Sequence, residues 1–152
     1  MSTCVWHRIA LLLLAVVSLL SLAGTIAAKE IKLEAQLVWG TNDEKTDNAE
    51  LKPVTAEVEK RLKSLPFKWQ HYFEVKRKQF TVQHAKTQRI NLSKDCVIEV
   101  KNLENDQVEV TLLGKGEVVG RIKQKLPDGE TLVLGGNAAN FTGWFVVLRP
   151  VK

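Results

Sequence analysis

Residues 96–148 read CVIEVKNLENDQVEVTLLGKGEVVGRIKQKLPDGETLVLGGNAANFTGWFVVL, and the pattern of this stretch decides the fold class. Five apolar-patterned runs, CVIEV, QVEVTLL, EVVGRIKQKL, ETLVLGG and GWFVVL, are separated at Glu104-Asn105-Asp106, Gly114-Lys115-Gly116, Pro127-Asp128-Gly129 and Gly135-Gly136-Asn137. Alternation of apolar and polar residues gives a strand one dry and one wet face, and turn-forming residues between runs send the chain back on itself. The pattern predicts a mainly β protein, an antiparallel β-sandwich or open barrel of about seven to eight short strands.

Inside the stretch, Cys96, Ile98 and Val100 share one parity, as do Val108, Val110 and Leu112. Val118, Gly120 and Ile122 continue it, with Arg121 and Lys123 opposed. Trp144 to Leu148 is apolar on both parities, which predicts an interior strand covered on both sides.

Working outward, Lys29 to Trp39 alternates: Ile31, Leu33, Ala35, Leu37 and Trp39 predict a dry face, Lys32, Glu34 and Gln36 a wet one. Gly40 to Lys52 is polar and aperiodic, and lacks the ligand alternation and internal glycine that a calcium loop needs. Pro53 to Leu65 is predicted to be the one amphipathic helix, with Val54, Val58, Leu62 and Leu65 on the face laid on the sheet. Pro53 suits its start, and Pro66 stops it.

Phe67 to His84 breaks parity. Trp69, His71, Phe73 and Val75 share one face, while Phe80, Val82 and His84 share the other, so a bulge or turn is predicted within Lys76-Arg77-Lys78-Gln79. Either would push Lys76, Arg77 and Lys78 together into solvent. Thr87 to Leu92 is a weaker strand with Ile90 and Leu92 inward.

The amino terminus reads as a secretory signal peptide: a head carrying Arg8, an apolar run from Ile9 to Leu22, and small residues ending at Ala27-Ala28. An uncleaved anchor through residues 9–28 is the alternative. Cleavage after Ala28 would leave Lys29 to Lys152 as a single β-rich domain, exported to a periplasm or secreted, with no stable transmembrane segment. That chain would keep one cysteine, Cys96, and hence no internal disulfide.

The formal net charge is +5, from 22 Lys and Arg against 17 Asp and Glu, a mild excess that names no partner. Export sets nucleic acid aside and favours an anionic envelope polymer or a protein. Charge is densest between Lys60 and Lys78. Lys60, Arg61, Lys63, Lys68, Lys76, Arg77 and Lys78 are basic there, Glu74 alone is acidic, and Trp69 and Tyr72 are interleaved. These nine basic and aromatic residues form the candidate binding set. Solvated helix and strand edges are the plainer explanation of the charge.

No catalytic constellation stands out. Cys96 shares parity with Ile98 and Val100, as a buried thiol would, and the neighbouring Asp95 opposes its activation. His71, His84 and Cys96 lack zinc-site spacing, Ser64 and Ser93 lie in no nucleophile elbow, and the glycine pairs lack a phosphate-loop ending. No metal, cofactor or disulfide is implied. Asn91-Leu92-Ser93 and Asn140-Phe141-Thr142 fit the glycan-acceptor triplet.

The expectation is therefore an exported, non-enzymatic β-rich module that binds a partner in the cell envelope or extracellular space. One alternative is a carbohydrate- or polyanion-binding domain using the 60–78 segment. Another is a small hydrolase with a carboxylate-based site, for which two facing carboxylates in a cleft would be the mark.

Overall fold

A computed structural model describes residues 29–152; the segment 1–28, read above as a signal peptide or anchor, lies outside the described residues. Nine strands and one helix follow in order: β1 (Ile31–Thr41), β2 (Lys52–Pro53), α1 (Ala56–Lys63), β3 (His71–Val82), β4 (Thr87–Asn91), β5 (Cys96–Asn102), β6 (Gln107–Gly114), β7 (Glu117–Lys125), β8 (Leu132–Asn137) and β9 (Gly143–Pro150). They form a five-stranded sheet ordered β2-β3-β1-β9-β8 and a four-stranded sheet ordered β4-β5-β6-β7, antiparallel throughout. The predicted β architecture is what is found, as a sandwich and not a closed barrel. The extra strand is the two-residue β2.

The inner core is built by the predicted parities. Leu33, Ala35, Leu37, Val146 and Leu148 from one sheet meet Ile98, Val100, Val108, Val110 and Leu112 from the other, with Ile90, Leu92 and Cys96 included. A second core lies on the outer face of the five-stranded sheet. There α1 lays Val58 and Leu62 over Val38, Phe145 and Val147, beside Val54, Trp69 and Tyr72. Strand β9 is thus covered on both faces, as its continuous apolar run predicts.

Four local expectations are corrected. The helix starts later than Pro53, which belongs to β2; Thr55 is the N-cap, and its side chain accepts from the Val58 amide at 3.5 Å. Glu34 and Gln36 are not on a wet face: both are buried, because β1 is central and its outer face lies beneath arginines as well as the helix. Gly135 and Gly136 are inside β8. The turn falls at Asn140-Phe141, both at φ 58, the geometry of a tight hairpin. Val118 does not continue the inward parity: β7 slips by one residue at Val119, and Val118 is exposed.

The break in β3 is real but displaced. Leu37 pairs with Lys76 and Val38 with Glu74, so Val75 is the extra residue, one position before the predicted segment. The bulge restores parity: Phe73 lies opposite Trp39 and Phe80 opposite Leu33, both inward positions. Among the described residues no helix is long and apolar enough to cross a membrane.

Candidate functional site

The nine residues 60–78 singled out from sequence do not assemble into one surface. Trp69 and Tyr72 are only 6% and 3% exposed, so neither ring is offered to a ligand; both pack against Phe145 beneath the helix layer. The reason is a pair of facing glycines. Gly40 and Gly143 are register partners on β1 and β9, and a Cβ on Gly143 would sit 2.7 Å from the Trp69 indole, while one on Gly40 would sit 2.9 Å from Phe145. The indole fills the space those side chains leave.

The basic groups are divided. Lys76 and Lys78 are opposite Leu37 and Ala35, on the inner-core parity of β3 but beyond the cover of the second sheet. Arg77 is opposite Gln36, on the helix side. All three are exposed as expected, but not on one face, because β3 runs straight through them and alternates. Lys63 pairs with Glu59 at 2.6 Å, Arg61 donates to the Thr131 carbonyl at 3.4 Å, Lys68 lies 5.5 Å from the Trp69 ring centre, and Lys60 is exposed.

Arg77 is instead part of a polar network that sequence reasoning missed. It binds Glu74 at 2.6 Å and approaches Glu34 at 3.8 Å. Glu34 also accepts from Gln79 at 3.0 Å and from Arg149 at 2.9 Å, and Arg149 reaches on to Glu57 on the helix. Burial alone pushes the Glu34 carboxyl up, but the hydrogen bonds from Gln79 and Arg149 and the charges of Arg149 and Arg77 outweigh it and hold it below its ordinary value. This carboxylate is neutralised and enclosed, so its role is to bind three strands and the helix together.

A cavity of a different kind opens at the end of the sandwich where β5, β7 and β9 begin. It has a volume of about 540 Å³, within the range of small-ligand sites. Its floor is Leu37, Cys96 and Trp144; Val119 and the Ala138-Ala139 loop form walls, and Ser93, Asp95, Lys115 and Asn137 supply the polar groups. Two inward positions beside it lack side chains. Gly120 lies opposite Leu112 and Gly136 opposite Trp144, and a Cβ on either would meet nothing within 4 Å. Both positions face open space at the β7 and β8 edges, Gly120 exposed and Gly136 half-buried.

The loop that walls this cleft is held firmly. Ala138 donates to the Thr142 carbonyl, the Thr142 hydroxyl donates to the Ala139 carbonyl, and Trp69 Nε1 donates to the Phe141 carbonyl at 2.7 Å. Left-handed backbone at a phenylalanine costs roughly 1–2 kcal/mol, and persists where surrounding bonds fix it. The Phe141 side chain is 86% exposed at the tip.

The chemistry available in the cleft is limited. Cys96 has the buried, inward position predicted for it, and burial pushes its thiol up to about 11, so it is neutral near pH 7. Asp95 is the one carboxylate among the lining residues, so the facing pair that would mark a carboxylate hydrolase is not formed here. A second cavity, of about 590 Å³ at the opposite end, is lined by Lys29, Glu30, Lys32, Asp106, Asp128 and Lys152 among others, and is too polar to share this character. The apolar cleft has no counterpart in the sequence pattern, since its lining comes from segments far apart in the chain. Comparisons of this chain with protein-family models, with curated proteins and with solved structures find no match.

Proposed function

We propose that this chain is an exported, non-enzymatic binding module that receives an apolar group of its partner in the end cleft between the sheets. The observation that carries the proposal is the combination of an apolar floor with polar groups around it, next to inward glycines that leave room. Such a site gains affinity by removing apolar surface from water, about 25 cal/mol per Å², and uses its few polar groups to orient what enters. The small-residue pattern at Ala27-Ala28 supports export, to a periplasm or to the outside of a cell. The neutral thiol and the lone Asp95 favour binding over catalysis.

The alternative of a polyanion surface on residues 60–78 draws less support, because its aromatic members are buried and its cations lie on different faces. The test is a fluorescence titration with the uncharged dye N-phenylnaphthylamine. Wild type is expected to bind the dye, and Gly136→Leu, which grows a side chain into open space at the cleft edge, to weaken binding at least about tenfold, or 1.4 kcal/mol, without loss of thermal stability. Equal binding by both proteins would count against the cleft.

A further inference from the structure

We infer that the partner presents its apolar group on an extended segment that adds as a fifth strand to the free edge of β7, with acidic residues on its outward face. The inference rests on the cleft as the place where that apolar group enters. Strand β7 is the last strand of the four-stranded sheet, bonded to β6 on one side only, and the other sheet has one strand more. The main-chain donors and acceptors of its second side are therefore open to a new strand.

The side chains of β7 define what that strand must carry. Ile122 is opposite Val110 and packs on the inner core, and Gly120 next to it on the same face meets open space. An added strand would lay apolar side chains over this inward face and into the cleft beside Val119. On the outward face stand Arg121, Lys123 and Lys125, opposite Thr111, Glu109 and Gln107. None of the three is in an ion pair among the described residues. Cross-strand neighbours of opposite charge are favourable and like charges are not, so the incoming strand alternates apolar with acidic residues.

The exposure of Val118 and Val119, 60% and 56%, fits the same picture. Basic residues on an edge also discourage pairing between like copies. Of the remaining edges, β3 carries the Val75 bulge and is partly covered by β2, and β4 has only five residues; neither borders the cleft. Strand β8 is also an edge and reaches the cleft at Asn137, but it has six residues, two of them glycines, and no charged side chain to select a partner. A second copy pairing through β7 would bring the positive rows together, which disfavours self-association as the use of this edge.

The test uses two capped hexapeptides, one alternating Val with Glu and one alternating Val with Lys, titrated into the protein. The acidic peptide is expected to bind about tenfold more tightly than the basic one, and to slow amide exchange along Gly120 to Lys125. The double variant Lys123→Glu, Lys125→Glu should reverse the preference while still binding N-phenylnaphthylamine. Equal affinity for both peptides, protection at a different strand, or dimerisation through β7 would overturn the inference. Dye binding that survives such a result would leave the cleft itself standing; loss of dye binding in the wild type would remove the cleft.

Discussion

Trp69 and Phe141 are joined across 72 residues of chain by a single 2.7 Å hydrogen bond, from the indole Nε1 to the Phe141 carbonyl oxygen. The bond ties the segment entering β3 to the loop that walls the cleft. It also explains why a phenylalanine holds left-handed backbone, with its ring in solvent.

Removing that bond should loosen the wall. Trp69→Phe loses both the donor and the indole atoms that lie over Gly143, and is expected to cost roughly 1–3 kcal/mol. Urea denaturation would give the loss, and amide exchange should quicken between Ala138 and Thr142. Unchanged exchange in that loop would mean that the turn holds itself.

Gly143→Ala tests the packing beneath the same indole. The added methyl would stand 2.7 Å from the ring, so the indole must move, at an expected cost of about 1–3 kcal/mol. Gly120→Ala, where nothing lies within 4 Å, should cost far less in the same denaturation experiment. Equal losses would contradict the assignment of one glycine to close approach and the other to open space.

The Glu34 network predicts an acid dependence. Because the folded carboxyl is held below its ordinary value near 4.5, its contribution is present above that value and lost as pH falls through the lower, folded one. Glu34→Gln should therefore destabilise at pH 7, by roughly 1–3 kcal/mol for lost charge-assisted hydrogen bonds. The gap to wild type should narrow in strong acid. A gap independent of pH would assign the effect to packing.

Cys96 predicts an alkaline one. With its thiol at about 11 in the fold against an ordinary value of 9.0, its contribution is complete below pH 9 and is lost as pH rises toward 11. Thiol reagents should label the native protein slowly at neutral pH. Cys96→Ser is expected to cost about 1–3 kcal/mol if the new hydroxyl finds no partner. Rapid labelling at pH 7 would show the thiol to be exposed and active.

Strand alternation made the sandwich legible, and the doubly apolar run 144–148 marked the strand with two covers. What alternation does not reveal is which polar parity is itself covered. Glu34 and Gln36 look solvated until Arg77 and Arg149, distant in sequence, close over them. Bulges at Val75 and Val119 each shift parity by one, and only register locates them. The 60–78 segment looked like a surface because charge and aromatics alternate there. The fold sends Trp69 and Tyr72 inward under the helix and spreads the cations over both faces. The cleft was illegible because its lining comes from β1, the segments before β5 and β7, the loop after β8 and the start of β9, which strand alternation does not bring together.

The central claim is that the cleft between the sheets receives an apolar group, and mapping where such a group binds tests it most directly. In an NMR titration with N-phenylnaphthylamine, the resonances of Leu37, Cys96, Val119, Ala138 and Trp144 are expected to shift together and saturate with one affinity. Those of the helix and of Lys76 to Lys78 should stay in place. Shifts centred on the 60–78 segment, or spread over the surface without saturation, would contradict the account.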